Sequence, residues 1–373
     1  MQVALVHDWL TGMRGGERCL EVFCELFPDA DLYTLLHVPG SVSPAIERRR
    51  IVTSFVQRLP DAARRYRQYL PLFPAAVAGF DLSRYDLVLS SSHCVAKGAR
   101  PGPRALHLCY CFTPMRYVWD LYDDYFGARA PGAARLLMPP VAAALRRWDR
   151  RASARVHRFA AISRFVADRI RRCYGRPADV IHPPVDVARF RLAGEPGAFY
   201  LVVSALAPYK RVDLAIGAAN RLGARLVVAG SGPEERALRA LAGPTVEFLG
   251  WRSDAEVAEL FARCRAVLFP TLEDFGIVPL EAMAAGRPVI ALGRGGALET
   301  IVPPEGGDDR PTGLFFAEQT VEALVEAIRR FEASAHRFEP KALRARAEAF
   351  DRPLFKERIA RWIDAALAEA RAC

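Results

Sequence analysis

Three observations predict an α/β protein built from two doubly wound domains. Short apolar runs that end in a loop and lead into a helix recur along the chain, from residues 3–6 to residues 313–316. At 373 residues the chain is long for one core and comfortable for two. The most informative unit, residues 267–300 (VLFPTLEDFGIVPLEAMAAGRPVIALGRGGALET), reads strand, loop, helix, strand. Its acidic residues fall just past the first strand's carboxyl end, where doubly wound sheets bind ligands.

In the first half, the strand at residues 3–6 runs into His7-Asp8-Trp9. A loop with the pair Gly15-Gly16 then opens a helix over residues 19–27. A glycine pair there can cradle phosphate, but the spacing is not GxGxxG, so no dinucleotide fingerprint is expected. Residues 85–89 form a strand ending in Ser90-Ser91-Ser92-His93. Residues 105–111 form another, ending in Phe112-Thr113-Pro114-Met115-Arg116. A strand at 160–162 precedes a basic helix, and Pro183-Pro184 with the polar residues 189–197 reads as a linker. Residues 58–80 mix four arginines with Tyr66, Tyr69, Leu70, Leu72 and Phe73. Such interleaving suits a membrane interface, and equally a helix and proline-bent loop lying on the core.

The second half restarts with a strand at 199–204, followed by Pro208-Tyr209-Lys210-Arg211. Strands at 225–229 and 245–249 lead into Gly230-Ser231-Gly232 and Gly250-Trp251. Where a nicotinamide motif would place its third glycine, this chain has Glu235. In the central unit Pro270 ends the strand, and Glu273, Asp274 and Phe275 occupy the loop. Gly276 permits an unusual backbone, Pro279 pre-sets a first helical turn, and Gly286 stops the helix. Glu273 and Glu281 bracket the amides of Gly276, Ile277 and Val278, which have few acceptors within their own helix. A helix N-terminus of this kind favours phosphate. A ligand with a diphosphate in the middle and hydroxyls at both ends, a nucleotide sugar, would fit both glutamates. Glu281 by itself reads equally as a favourable acid of a first helical turn.

The net charge is +10 and unevenly placed: residues 1–190 hold 28 Lys/Arg and 17 Asp/Glu, residues 191–373 hold 24 and 25. The excess on the first half points to a partner there, nucleic acid or an anionic membrane surface. The eight cysteines are scattered, and Cys109 and Cys111, two apart in a strand, suit neither a disulfide nor a zinc site. They read as small apolar residues of a reduced, cytoplasmic protein. The chain enters a strand at once, leaving no room for a signal peptide, and no apolar run approaches the ~20 residues of a membrane span.

The phrase EDFGIVPLEAMAAGRPVIA, with its Glu273-x7-Glu281 spacing, resembles the signature of family 4 retaining glycosyltransferases of the GT-B fold. VHDWLTGMRGGE, LSSSHCVAKG, CYCFTPMRYVWD and VVSALAPYKRVDLAI are similar to a bacterial branch of that family. That branch assembles surface polysaccharides, mostly with GDP-mannose. The resemblance implies two Rossmann-like domains facing each other across a cleft. The first, acceptor-side domain would span residues 1–190, the nucleotide-sugar domain 191–352, and a helix at 353–373 would return toward the first. It implies a retaining hexosyltransferase, mannose from GDP-mannose being the favoured donor, acting on a saccharide or polyprenyl-linked acceptor. The expected location is cytoplasmic, with peripheral contact at the inner face of the membrane. No metal, no cofactor and no nucleic-acid partner are expected.

Carried over by residue, the resemblance puts Glu273 on the transferred sugar, Glu281 on the ribose, and Lys210 with Arg211 on the diphosphate. Gly276, Ile277 and Val278 join them at the phosphates, with Asp274 and Phe275 in the same loop and the base near Gly250 and Trp251. Gly15 and Gly16 reach the phosphates or the acceptor, and Asp8, Thr113 and Arg116 line the acceptor side. The chain departs from the family pattern twice: Ala205 stands where many relatives have an arginine, and Phe112 where they have a histidine. His93 is therefore expected to supply the imidazole, giving Glu273, Lys210 and His93 as the catalytic residues. The alternatives are a UDP-, dTDP- or ADP-sugar as donor, a GT-B enzyme that is not a transferase, or a sugar-nucleotide-binding protein without activity.

Overall fold

The computed structural model describes residues 1–120, 122–126, 132–192, 194–304 and 310–372. The chain divides into two compact units, Met1–Pro183 with Phe355–Cys373, and Pro184–Leu354.

The first unit is built on seven strands: β1 (Val3–His7), β2 (Asp31–Thr34), β3 (Ile51–Thr53), β4 (Leu87–Ser92), β5 (Leu106–Cys111), β6 (Arg158–Ala161) and β7 (Asp179–Val180). All pairings are parallel, in the order β3-β2-β1-β4-β5-β6-β7. The central strands β4 and β5 are buried along their whole length, as expected of strands covered on both faces. From β1 the chain moves outward one way, through β2 to β3, and from β4 the other way, through β5 to β7. The connections thus part between β1 and β4, and at such a switch point the strands' carboxyl ends open a crevice. His7 lies opposite Ser91 and Ser92 opposite Cys111. Asp8, His93 and Phe112 therefore leave the sheet at one level.

Residues 58–80 form short helices, Ala62–Arg65, Tyr66–Leu72 and Phe73–Ala78. Tyr66, Leu70 and Phe73 are buried, the rings of Tyr66 and Phe73 lying 5.0 and 6.1 Å from that of Trp9. These aromatics belong to the core, while Leu72 remains on the surface. Beneath them is a buried ion pair that the sequence did not announce. Lys97 Nζ sits 2.8 Å from Asp149, both side chains fully enclosed, and also donates to the Cys94 carbonyl at 2.5 Å. Asp149 accepts from Trp119 Nε1 and the Tyr174 hydroxyl at 2.9 and 2.7 Å. Burial works against the Lys97 charge, yet Asp149, together with Cys111 and Asp8, outweighs it and holds the ammonium above its ordinary range.

The second unit repeats the plan with β8 (Tyr200–Val203), β9 (Leu226–Ala229), β10 (Val246–Gly250), β11 (Ala266–Phe269), β12 (Val289–Leu292) and β13 (Gly313–Phe316). Their parallel order is β10-β9-β8-β11-β12-β13, so the switch point falls between β8 and β11. The units divide at Pro183 and Pro184 rather than at residue 190. Val185 bonds to the Phe350 carbonyl and accepts from Arg352, and the Phe190 ring packs on Phe261, so this stretch belongs with the second unit. The helix Arg352–Ala372 starts in the second unit and from Phe355 onward belongs to the first. Its Phe355 meets Phe23 and Tyr110, and Trp362 donates to Asp179 at 2.8 Å. Among the described residues no helix is long and apolar enough to cross a membrane.

Candidate active site

In the second unit two loops leave the sheet at the switch point. The loop after β8 folds into the short helix Pro208–Lys210, and the loop after β11 carries residues 270–276. Although 63 positions apart in sequence, Lys210 and Glu273 meet in an ion pair. Their side chains are only 18 and 15% exposed. The Thr271 hydroxyl lies 3.4 Å from the same carboxylate oxygen and from the Tyr209 carbonyl, tying the two loops together. The Lys210 ammonium also sits 5.2 Å from the centre of the Tyr209 ring. Arg211, predicted to share the diphosphate, holds a left-handed backbone, and its guanidinium is engaged by Asp213 at 3.0 Å.

Gly276 is the N-cap of the helix Ile277–Ala284, with φ of +85° and no side-chain cap. An L side chain there would be strained, and its Cβ would crowd the Phe269 ring at 3.1 Å. The first-turn amides of Ile277 and Val278 thus open at the switch point, as an anion site requires. Glu281 lies in this helix, partly exposed. Asp274 and Phe275 are buried, the ring of Phe275 standing 5.9 Å from that of Phe350. These two hold the loop in place from behind. At the end of β10, Gly250 has φ of +71° and Trp251 is 72% exposed, a free aromatic face.

Sequence reasoning missed one support. The Gly296 amide donates to the Glu273 carbonyl at 2.9 Å, and a Cβ on Gly296 would lie 2.3 Å from the Phe275 Cα. Only a glycine lets the loop after β12 come this close, so it fixes the backbone that aims Glu273. The adjacent Gly295-Gly296 just past a strand was the available signal.

In the first unit the carboxyl ends of β1, β4 and β5 bring together His7, Asp8, His93 and Phe112. Asp8 is fully buried. Its two oxygens accept the backbone amides of His93, Cys94, Val95 and Ala96 at 2.6–2.9 Å, and His93 Nδ1 approaches at 3.1 Å. Burial alone would raise this carboxyl, but His93, His7, the amides and Lys97 hold it below the usual range. This corrects the expectation that Asp8 lines the acceptor side, because its hydrogen-bonding capacity is spent on holding the β4 loop. Thr113 is likewise enclosed and accepts from Arg169 at 2.7 Å, while Arg169 also pairs with Asp120.

His93 keeps about a quarter of its side chain exposed and stacks edge-on to Trp9, ring centres 4.3 Å apart. Burial pushes its imidazole down to about 4, against the pull of Asp8; Arg116 is among the charges that add to the depression. The Phe112 ring lies 6.4 Å from both His93 and His7. Gly15 and Gly16 open the helix Gly15–Leu26, and a Cβ on Gly16 would touch Phe112 at 3.5 Å and His7 at 3.6 Å. His7, which the sequence reading gave no role, is buried, bonded through Nδ1 to Ser91 at 2.7 Å, with Glu17 3.7 Å from Nε2.

Two parallel sheets, each with functional groups gathered at its switch point, are the framework of a GT-B glycosyltransferase. The description Glycosyltransferase Family 4 matches residues 13–189, and Glycosyl transferases group 1 matches residues 188–350. The chain belongs to the family 4 glycosyltransferases of the GT-B fold.

Among its relatives, a glycogen synthase of Pseudomonas savastanoi pv. phaseolicola is 34% identical over 170 residues, 43% of this chain and 34% of that one. O-antigen chain mannosyltransferase C of Escherichia coli is 31% identical over 183 residues, 46% of this chain and 47% of that one. The matches thus span about a third to a half of these relatives. The structure of Anabaena Alr3699/HepE in complex with UDP-glucose shares the fold. Its TM-score is 0.70 at 18% identity, covering 98% of this chain and 100% of that one.

Proposed function

We propose that this glycosyltransferase retains anomeric configuration and moves mannose from GDP-mannose to a saccharide or lipid-linked saccharide in polysaccharide or glycolipid assembly. The observation that carries the reading is the Lys210–Glu273 pair at the switch point, beside the uncapped helix N-terminus at Gly276. As the glycosidic bond opens, negative charge grows on the departing diphosphate. Lys210 and the amides of Ile277 and Val278 meet that charge where it develops. Glu273 takes the sugar hydroxyls and favours the positive charge of the oxocarbenium-like carbon, Glu281 holds the ribose, and Gly250 with Trp251 receives the base. No metal is required, because the protein's own cation and amides do this work. The mannosyl assignment leans on the O-antigen mannosyltransferase relative. A second reading, a UDP-glucose donor, is supported by the glycogen synthase relative and by the UDP-glucose complex of HepE.

A thermal-shift panel of GDP-mannose, UDP-glucose, dTDP-glucose and ADP-glucose decides between them. The true donor at 100 times its dissociation constant stabilises by about 2.7 kcal/mol. In Glu281→Gln both that donor and its nucleoside diphosphate should bind roughly 10- to 150-fold more weakly, the loss of a hydrogen bond to a charged group. An unchanged affinity would remove Glu281 from the ribose.

On the acceptor side, His93 is proposed to accept the hydroxyl's proton. Its depressed basicity keeps the ring neutral near pH 7, and Asp8 fixes its orientation. His93→Ala should lower turnover at saturating donor and acceptor by roughly 10- to 100-fold. Unchanged turnover would leave the proton to the leaving phosphate. The protein is proposed to work in the cytoplasm, in peripheral contact with the membrane that carries its acceptor. Exposed Leu136 and Leu137 on the arginine-rich helix Gly132–Ser153 support that contact.

A further inference from the structure

The Lys210–Glu273 pair has a second consequence, which rests on the donor-site reading above. The ammonium that should meet the diphosphate is paired with the carboxylate that should meet the sugar. Both groups are more than four-fifths buried, so water replaces neither partner well when the pair opens. Arg211 is engaged elsewhere, its guanidinium meeting Asp213 in a fork of contacts at 3.0 and 3.1 Å. Glu273 cannot swing aside freely either, since Gly296 fixes its carbonyl and Thr271 lies against its carboxylate.

An incoming diphosphate must therefore take Lys210 from Glu273. An intact nucleotide sugar compensates, because its hydroxyls donate to the carboxylate that has lost the ammonium. A free nucleoside diphosphate brings no hydroxyl to that position. It leaves Glu273 enclosed, without its cation, and beside a second anion. We propose that Glu273, through its pairing with Lys210, is the residue that makes the site prefer the intact donor over the nucleoside diphosphate product. Transfer removes the sugar from Glu273, the carboxylate reclaims Lys210, and the product is expelled.

The test is calorimetric titration of GDP, GDP-mannose, UDP and UDP-glucose into the full chain. Wild type, Glu273→Gln, Lys210→Met and the double variant are compared, with circular dichroism to confirm folding. Glutamine keeps the shape of Glu273 and removes its charge. Glu273→Gln should bind the nucleoside diphosphate roughly tenfold more tightly, the scale of one charged hydrogen bond, with no such gain for the intact donor. In the Lys210→Met background the same substitution should give little gain. Glu273→Asp, which shortens the reach to Lys210, should fall between wild type and Glu273→Gln, and serves if the glutamine variant does not fold.

Unchanged or weakened binding of the diphosphate by Glu273→Gln would overturn the proposal while leaving the donor site intact. An equal gain in the Lys210→Met background would also overturn it, showing plain repulsion rather than competition for the lysine. If neither these four nor dTDP-glucose, ADP-glucose and their nucleoside diphosphates bind the wild-type chain, the donor-site reading falls and the proposal falls with it.

Discussion

Replacing Lys97 by methionine should lower the stability of the first unit by about 3–5 kcal/mol, the cost of leaving a buried partner charge unpaired. Asp149 would keep the Trp119 and Tyr174 donors but lose the Lys97 ammonium, in a fully enclosed site. Methionine fills the space of the lysine stem, so the effect reports charge and not a cavity. The companion Lys97→Met/Asp149→Leu removes both charges and should recover much of the loss. Tryptophan fluorescence in urea suits the measurement, because Trp9, Trp119, Trp148 and Trp362 lie in the first unit. A shift of the midpoint at constant slope is the expected signature. A single variant as stable as wild type would mean that Asp149 takes up a proton at little cost.

The second large effect concerns chemistry. Lys210→Met should reduce turnover by roughly 10²–10³-fold, comparable to removing one preorganised donor from a site where negative charge develops. The lysine serves the departing diphosphate more than the ground-state donor, so kcat and kcat/KM should fall together. Steady-state transfer kinetics with the donor found by thermal shift would show it. Turnover within tenfold of wild type would transfer the role to the helix N-terminus alone.

The strand-ending motifs made both switch points legible. Glu273, Asp274 and Gly276 follow an apolar run and precede a helix, and that local order is what a doubly wound sheet turns into a site. His93 and Phe112 were placed at strand ends for the same reason. What could not be read was pairing over distance. Nothing local tells that Lys210 meets Glu273, that Lys97 meets Asp149, or that Asp8 caps a loop 85 positions away. Such pairs depend on which strands become neighbours. Asp8 shows the limit most clearly, since a buried acid holding four amides and an exposed acid facing a ligand look identical in sequence. Composition left one stretch open between two readings: the aromatics of residues 58–80 suit an interface and a core equally, and Tyr66 and Phe73 close around Trp9.

The helix Arg352–Ala372 imposes an order of events on synthesis. Phe23 and Tyr110 await Phe355, and Asp179 awaits Trp362, yet residues 184–354 must leave the ribosome first. At translation rates of about 5–20 residues per second, the earlier-made sheet spends roughly 10–30 s without its closing helix. The second unit, contiguous in the chain, has no such wait. The half that is begun first is thus the half that is finished last, and during that interval its aromatic seat for Phe355 is open to any other apolar chain.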